Sequence, residues 1–190
     1  ANCVGQAGNC SYPNRAVITT AEQLQSAARS DHVCAEYKGN YRSIGNFIRS
    51  DVIVMDIDND HSENPDDWIT PEKLNEMFPD FSYALVSSRN HMREKDGKVA
   101  RPKFHVYFQI GSVTDAKIYA GLKKALYKKY PFFDGNALDA ARFLYGSNSG
   151  EVIWHEGWMT IDEEISPDFS DEDSDAAGGQ TGSSSGPILQ

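Results

Sequence analysis

The sequence predicts an α+β fold organised around a split βαβ unit. Two observations predict it: apolar, β-prone stretches at residues 51–58, 83–88 and 103–110, and helix-like stretches near residues 70–78 and 114–130. The order is therefore strand, helix, strand, strand, helix, which is typical of a split βαβ arrangement. Such a sheet leaves one face free of helices, where an extended ligand can lie.

The N-terminal part of the chain is expected to add α/β elements to this unit. Thr20 can cap a helix over residues 21–29, because its hydroxyl can accept a hydrogen bond from a free amide of the first turn. With these additions, the predicted fold class is an α+β, RRM-like palm with an open sheet face.

The helices of the split unit are predicted from their caps and their periodicity. Thr70 followed by Pro71 is typical of a helix start, because Thr caps the first turn and Pro fits within it. Thr114 or Asp115 is expected to cap the second helix, which runs to about Tyr130. The apolar residues of that helix fall on one stripe: Ile118, Leu122, Ala125 and Leu126.

The strand at residues 103–110 alternates polar and apolar side chains. The apolar set is expected to pack into the core, and the polar set is expected to line the open face. The apolar set is Phe104, Val106 and Phe108, and the polar set is Lys103, His105 and Tyr107. Residues 138–145 are ambiguous between helix and strand, and residues 152–160 are expected to form a hairpin or an edge strand.

The predicted organisation is one domain at residues 1–165 followed by a tail at residues 166–190. A length of 190 residues suits one compact domain. The tail is acidic and then rich in Gly and Ser, so we expect it to be disordered or to act as a linker. No apolar run is long enough to span a membrane, and the three cysteines lack paired metal spacing. These features predict a reduced, cytoplasmic protein.

The net charge of −10 is unevenly distributed along the chain. Residues 161–190 hold eight acids and no Lys or Arg, so the rest of the chain is nearly neutral. Residues 51–80 hold ten acids and one base, whereas residues 89–142 hold twelve bases and five acids. An acidic site facing a basic segment is typical of a protein that binds a metal ion and a polyanion together. The alternative is that the basic residues only solvate a helix and a loop.

The most informative stretch is residues 51–60, where an apolar strand ends in Asp56 and Asp58. Side chains two residues apart in a strand lie on the same face. Two carboxylates about 4 Å apart repel by roughly 4 kcal/mol at an effective dielectric near 20, so we expect the pair to hold one or two divalent metal ions. A plain acidic turn is the alternative. An EF-hand calcium loop is disfavoured, because His61 stands where that pattern requires Gly.

The residues near His105 indicate triphosphate binding. Lys103 supplies a point charge, Arg101 a bidentate fork and His105 a directional donor. Further along the chain, Asp134 follows two aromatic residues and is a candidate third carboxylate, and Arg142 can meet phosphate or the acidic cluster. The structural alternatives are an exposed edge strand for the basic group, a cap or turn for Asp134, and an ion pair for Arg142.

Taken in this order, these motifs resemble those of the archaeo-eukaryotic primase superfamily. That family has an hhhDhD strand, then a strand that carries a functional His, and then an hD motif. Residues 52–58 match the first motif, His105 the second and Asp134 the third, with Asp139 as the rival for the third position. The resemblance covers about residues 45–150.

The resemblance is greatest to the primase–polymerase domains of replication proteins from phages, plasmids and integrated elements, which a helicase module commonly follows. It implies a metal-dependent nucleotidyltransferase, a DNA primase or polymerase, that uses a DNA template and nucleoside or deoxynucleoside triphosphates. The implied ligands of two Mg²⁺ or Mn²⁺ ions are Asp56, Asp58 and Asp134. The implied nucleotide-binding residues are His105, Lys103, Arg101 and Arg142. Lys103 departs from the family pattern, which often has a small residue at that position.

The basic loop at residues 89–102 is expected to contact template phosphates. Its candidate nucleic-acid-binding residues are Arg89, Arg93, Lys95 and Lys98. Four further lysines spread around the predicted helix at residues 114–130, so a solvated face is the simpler interpretation for most of them. They are Lys123, Lys124, Lys128 and Lys129.

Two other functions compete with nucleotidyl transfer. One is a metal-dependent nuclease, including the replication-initiator nickases that have an RRM-like palm. Those nickases need two metal-binding histidines around one hydrophobic residue, whereas here Tyr107 stands two residues after His105. The other is a non-catalytic module that binds single-stranded nucleic acid. Clustered carboxylates repel phosphate unless they hold a metal ion, which favours an enzyme.

Overall fold

The structure is a computed structural model that describes residues 4–95, 97–136, 138–148 and 150–170. Within these residues, three α-helices and a five-stranded antiparallel sheet confirm the predicted α+β class. Most of the predicted tail lies outside the described residues. The elements in chain order are α1 (Ala21–Ala27), β1 (Glu36–Tyr37), β2 (Phe47–Ile57), α2 (Pro71–Met77), β3 (Tyr83–Ser87), β4 (Phe104–Val113), α3 (Ala116–Lys129) and β5 (Val152–His155).

The sheet has the strand order β1-β2-β4-β3-β5. β4 lies between β2 and β3 and is antiparallel to both, so β2 and β3 are parallel to each other and α2 connects them. This is the order and direction that a split βαβ unit requires. The last strand, β5, pairs with β3, and β1 pairs with the other side of β2. The strand that follows α3 therefore adds to the β3 edge of the sheet.

The helices begin where their caps predict. The hydroxyl of Thr70 accepts a hydrogen bond from a first-turn amide of α2, and the carboxylate of Asp115 accepts two from the first turn of α3. The predicted apolar stripe of α3 is wrong at Ile118, which is 41% exposed. Tyr119 is buried in its place, because α3 turns this ring toward Phe47, with ring centroids 5.3 Å apart.

One face of the sheet carries the main core against α2 and α3. Phe104, Val106 and Phe108 of β4 are all buried on this face, as the alternation predicts. They belong to one cluster with Leu74 of α2 and Leu126 of α3, neither of which is exposed at all. The apolar half of the β4 pattern is therefore confirmed.

The opposite face of the sheet is partly covered, which corrects the prediction of an open face. Leu24 of α1 packs there in one cluster with Val54, Tyr107 and Leu144. The middle of this face is apolar, so burying it under another element is favourable. An isolated bridge between His32 and Leu144 holds the otherwise irregular segment at residues 138–148 over the sheet. The charged residues of the face lie at one end, where β2 terminates.

A buried carboxylate joins the N-terminal residues to the irregular segment. Asp31 is 2% exposed and accepts hydrogen bonds from the amides of Gly5 at 2.9 Å, Gln6 at 2.8 Å and Gly146 at 2.8 Å. The close approach needs glycine at position 146, because a Cβ there would lie 2.5 Å from the carbonyl oxygen of Arg29. Segments distant in sequence thus meet at one side chain.

No helix within the described ranges is both long enough and apolar enough to cross a lipid bilayer.

Candidate functional site

Strands β2 and β4 place Asp56 directly opposite His105. Nδ1 of His105 lies 2.6 Å from Oδ1 of Asp56, and the two side chains are only 14% and 12% exposed. A carboxylate oxygen in this position accepts, so Nδ1 of His105 carries the proton and donates it. The imidazole is therefore held in one orientation, with Nε2 directed away from Asp56.

Arg142 is the second basic partner of Asp56. Its Nη2 donates to Oδ2 of Asp56, so both carboxylate oxygens have a partner. Burial opposes the ionisation of Asp56, but the hydrogen bond and charge of His105 and the charge of Arg142 outweigh burial and hold the pKa of Asp56 at about 2. Asp56 is thus a carboxylate at neutral pH.

Asp58 has a different partner from Asp56. Nζ of Lys103 lies 3.4 Å from Oδ1 of Asp58 and 3.6 Å from Oδ1 of Asp60. The Lys103 side chain is 11% exposed, whereas that of Asp58 is 43% exposed. The repulsion expected between the strand-end acids is therefore offset by separate cations, and Asp58 remains accessible to solvent.

The main chain brings Asp134 beside the end of β2. Its amide donates to the carbonyl oxygen of Asp56 at 2.8 Å. The Asp134 carboxylate accepts from the amide and the side chain of Asn136, as in a turn. The rival Asp139 is exposed and closes a turn by accepting from the amide of Ala141 at 2.6 Å. Asp134 is thus joined to the β2 end through its backbone.

The acids at the end of β2 have the donor chemistry that Mg²⁺ and Mn²⁺ require, because both ions prefer oxygen ligands. Asp58 offers a half-exposed carboxylate just after β2 ends, and Asp56 lies two residues before it. Asp56 can bind an ion through Oδ2 only if Arg142 exchanges its partner. In the described part of the chain, no three His, Cys, Asp or Glu side chains are grouped closely enough to hold an ion. The metal-ligand set remains a prediction.

Arg101 is fully buried behind the acidic loop that follows β2. Its guanidinium donates to the carbonyl oxygen of Asn59 at 2.9 Å and to the carboxylate of Glu63 at 2.9 Å. It also lies over the ring of Trp68, 5.4 Å from the centroid. The exposed fraction of its side chain is 0%. In this arrangement Arg101 holds the acidic loop, and its predicted contact with a triphosphate would require that loop to open.

The predicted nucleic-acid-binding residues divide into two groups. The guanidinium of Arg89 lies over the ring of Tyr145 at 3.9 Å, so this side chain is engaged in packing. Lys98 pairs with a carboxylate of the acidic loop at 3.0 Å but is 44% exposed. The exposed members of the set are Arg93, Lys95 and Lys98. These three are the ones that the fold presents to solvent.

Lys123 of α3 is one of the four helix lysines named from the sequence, but its burial was not predicted. The solvated face expected for most of them fits Lys128, which is 72% exposed, whereas Lys123 is 1% exposed. Nζ of Lys123 lies 3.4 Å from the carbonyl oxygen of Asp139. Burial lowers the pKa of Lys123 to about 8, although the charges of Asp139 and Asp56 raise it. The available signal was its position directly after Leu122, at the flank of the buried stripe.

His32 was not singled out by the sequence. Its Nδ1 lies 2.8 Å from the carbonyl oxygen of Ser30, and its Nε2 lies 2.8 Å from the hydroxyl of Tyr107. A carbonyl only accepts, so Nδ1 carries the proton and Nε2 accepts from Tyr107. Removal from water lowers the pKa of His32 to about 4, and the charge of His105 adds to this effect. The ring is therefore a neutral part of the cover over the sheet.

No family model, no curated protein and no solved structure matches this chain. What the site can do therefore follows from its own side chains. The end of β2 brings together an oriented imidazole, a half-exposed carboxylate and two cationic side chains. This combination can bind an anionic ligand and can hold or move a proton at Nε2 of His105.

Proposed function

We propose that this chain is a metal-dependent nucleotidyltransferase, a DNA primase or polymerase domain that synthesises or extends a primer on a DNA template. One observation carries the proposal: Asp56 lies opposite His105, contacts Arg142 and shares its strand end with Asp58. Nucleotidyl transfer needs metal-binding carboxylates and phosphate-binding cations within one site. Both kinds of group meet at Asp56.

The proposed cofactor is Mg²⁺ or Mn²⁺, held by Asp56 and Asp58. Asp134 is the preferred third ligand, because its main chain is bonded to that of Asp56; Asp139 is the alternative. When bound, such ions would lower the pKa of a 3′-hydroxyl and offset the charge of the leaving pyrophosphate. The proposed role of Asp56 requires an ionised carboxylate, and its pKa of about 2 meets this requirement.

The proposed ligands of the nucleotide triphosphate are Arg142, His105 and Lys103. Arg142 is 32% exposed and can exchange a carboxylate for phosphate oxygens, to which its planar guanidinium binds in a bidentate manner. His105 donates to Asp56 through Nδ1, so Nε2 is the atom that faces the ligand. Lys103 offsets the charge of the strand-end acids. The proposed role of Arg101 is indirect, because this side chain holds the acidic loop in place.

The proposed fold is an RRM-like palm, supported by the position of β4 between β2 and β3. The proposed partners are a DNA template, nucleoside or deoxynucleoside triphosphates and a helicase module of the same replication system, in the cytoplasm. The exposed basic residues Arg93, Lys95 and Lys98 lie in the loop that precedes β4, and we assign them to the template backbone.

The test is nucleotide incorporation with Mg²⁺ or Mn²⁺, on a primed template and on bare single-stranded DNA. The decisive variant is Asp58→Asn, because this half-exposed side chain can be changed without disturbing the core. Its matched control is Asp66→Asn, an exposed residue of the same acidic region that lies outside the site. We expect the wild type to extend the primer, Asp58→Asn to lose at least about 100-fold in rate, and Asp66→Asn to resemble the wild type.

Products on the bare strand would add priming to polymerase activity. Intact strand binding with no incorporation by the wild type would contradict the proposal and favour a non-catalytic binding module. Cleavage of the strand, abolished in Asp58→Asn, would favour the nuclease.

A further inference from the structure

The three carbonyl oxygens that precede Arg142 each accept a hydrogen bond from a side chain of another part of the chain. We call these three donor side chains the carbonyl clamp. The donor and acceptor pairs are Lys123 with Asp139 at 3.4 Å, Tyr37 with Ala140 at 2.7 Å, and Arg42 with Ala141 at 2.9 Å.

The carbonyl clamp holds a segment that has no regular secondary structure. Residues 138–142 form neither helix nor strand, so no ladder of main-chain bonds satisfies their carbonyl groups. Tyr37 and Lys123 are 6% and 1% exposed, and Ala140 is 2% exposed. Water cannot readily replace a bond lost in such surroundings. The donors come from β1, from the turn after it and from α3, so two separate parts of the chain fix one short segment.

The segment carries Arg142 to the site. Arg142 is the next residue after the three held carbonyls, and its Nη2 contacts Oδ2 of Asp56. Misplacement of a ligand-binding group by about 1 Å can cost roughly 100-fold in rate. A shift of the segment also moves the Cα of Arg142, because Arg142 follows directly on the last held carbonyl.

We infer that the carbonyl clamp is a positioning device: Tyr37, Arg42 and Lys123 hold the main chain so that Arg142 is presented to Asp56 and to the phosphates of the incoming nucleotide. The three side chains donate to main-chain carbonyl oxygens, so we assign them as positioning residues and not as catalytic ones. The inference rests on the proposed function for the identity of the ligand.

Two buried tyrosines provide a matched pair of variants. Tyr37→Phe removes one hydroxyl from the clamp and leaves the ring in place. Tyr119→Phe also removes a hydroxyl that donates to a main-chain carbonyl, that of Val52, at 3.0 Å. Both rings pack against Phe47, with centroids 6.3 Å and 5.3 Å away. Both variants keep their rings, so the contact of the Tyr119 ring with Nζ of Lys123 at 5.9 Å is retained. Only Tyr37→Phe removes a hydrogen bond of the clamp.

The first readout is steady-state nucleotide incorporation. We expect Tyr37→Phe to raise the KM for nucleotide by about tenfold, with a smaller effect on kcat. Tyr119→Phe is expected to keep a KM close to that of the wild type. Equal KM values in the two variants would overturn the role of the clamp in nucleotide binding.

The second readout needs no activity. His105 and Arg142 share the carboxylate of Asp56, so displacement of Arg142 changes the environment of the His105 ring. In protein labelled with ¹⁵N at histidine, we expect Tyr37→Phe to shift the His105 ring signals and Tyr119→Phe to leave them unchanged. Unshifted His105 signals in Tyr37→Phe would overturn the inference.

The two readouts separate the inference from the proposed function. If the wild type incorporates no nucleotide but Tyr37→Phe shifts the His105 signals, the proposed function fails and the positioning of Arg142 by the clamp is supported. If the wild type is active and Tyr37→Phe changes neither KM nor the His105 signals, the clamp inference fails alone.

Discussion

Nδ1 of His105 and Oδ1 of Asp56 are 2.6 Å apart across two neighbouring strands. A carboxylate that orients an imidazole in this way fixes the direction of its other nitrogen. A ring that contacts a ligand atom needs such a fixed direction. The other oxygen of Asp56 contacts Arg142, 86 residues along the chain. The orientation of the His105 ring therefore depends on three separate parts of the chain.

Replacing His105 with Ala is expected to raise the KM for nucleotide by roughly tenfold. The effect on kcat should be smaller, because the ring is assigned to the triphosphate and not to the attacking hydroxyl. Steady-state incorporation at varied nucleotide concentration measures both constants. His155→Ala is the control, since that imidazole stacks on Tyr83 at the far edge of the sheet. Unchanged KM in His105→Ala would contradict the assignment.

Stability is expected to fall as the pH drops from about 6.5 to about 4, because the pKa of His32 is lowered from 6.5 to about 4 in the folded chain. In this window the unfolded chain binds a proton at His32 and the folded chain does not. The stabilisation is therefore complete above pH 6.5 and is lost as the pH falls toward 4, by up to about 3 kcal/mol.

Urea unfolding at several pH values between 4 and 7 measures this effect. The variant His32→Gln removes the titrating ring and should show a shallower dependence of the free energy of unfolding on pH. Equal pH dependence in the variant and the wild type would assign the loss of stability to other groups.

Replacing Arg101 with Met is expected to lower the free energy of unfolding by about 3 kcal/mol. The change leaves the carbonyl oxygen of Asn59 without a charged donor and frees the carboxylate of Glu63. Urea denaturation is the measurement. Arg93→Met is the control, since Arg93 is exposed and its loss should change stability by less than about 0.5 kcal/mol. A similar small loss in both variants would mean that the buried guanidinium contributes little.

Removing positive charge from the loop before β4 is expected to weaken the binding of single-stranded DNA. For Arg93→Gln combined with Lys95→Gln, the slope of log K against log salt should become shallower by about 0.7 for each phosphate that the loop no longer neutralises. Fluorescence anisotropy at several salt concentrations gives the slope. Lys38→Gln, an exposed residue after β1, is the control. An unchanged slope in the double variant would mean that single-stranded DNA binds to another part of the surface.

The regular parts of the fold were predictable because their determinants are local. Thr70 and Asp115 cap helices through bonds to amides two or three residues away, which a short window of sequence contains. The alternation of Phe104 and His105 likewise follows from the pleat of one strand. The pairing of Asp56 with Arg142 spans 86 residues and has no local pattern, so the sequence indicated the acidic cluster as one possible partner of Arg142 without identifying Asp56 as the acid.

The burial of charged residues was the least predictable feature. Arg101 and Lys123 resemble the exposed bases around them in type, and charged side chains are rarely buried unless their heads are paired. Their stems are long enough to place the charged head against carbonyl oxygens of another segment. Such acceptors are main-chain atoms that every residue has, so the sequence gives no sign of where they will be.

The buried carboxylate of Asp31 has a practical consequence for the choice of domain boundary. Two of its three donors are the amides of Gly5 and Gln6, so a recombinant fragment that starts after residue 6 would keep a desolvated negative charge with only Gly146 to satisfy it. Residues 4–20, which lie ahead of α1, thus belong to the folding unit, although within this range there is no helix and only one isolated β-bridge. A shortened version of this domain should keep them, and a tag is better joined upstream of Gly5.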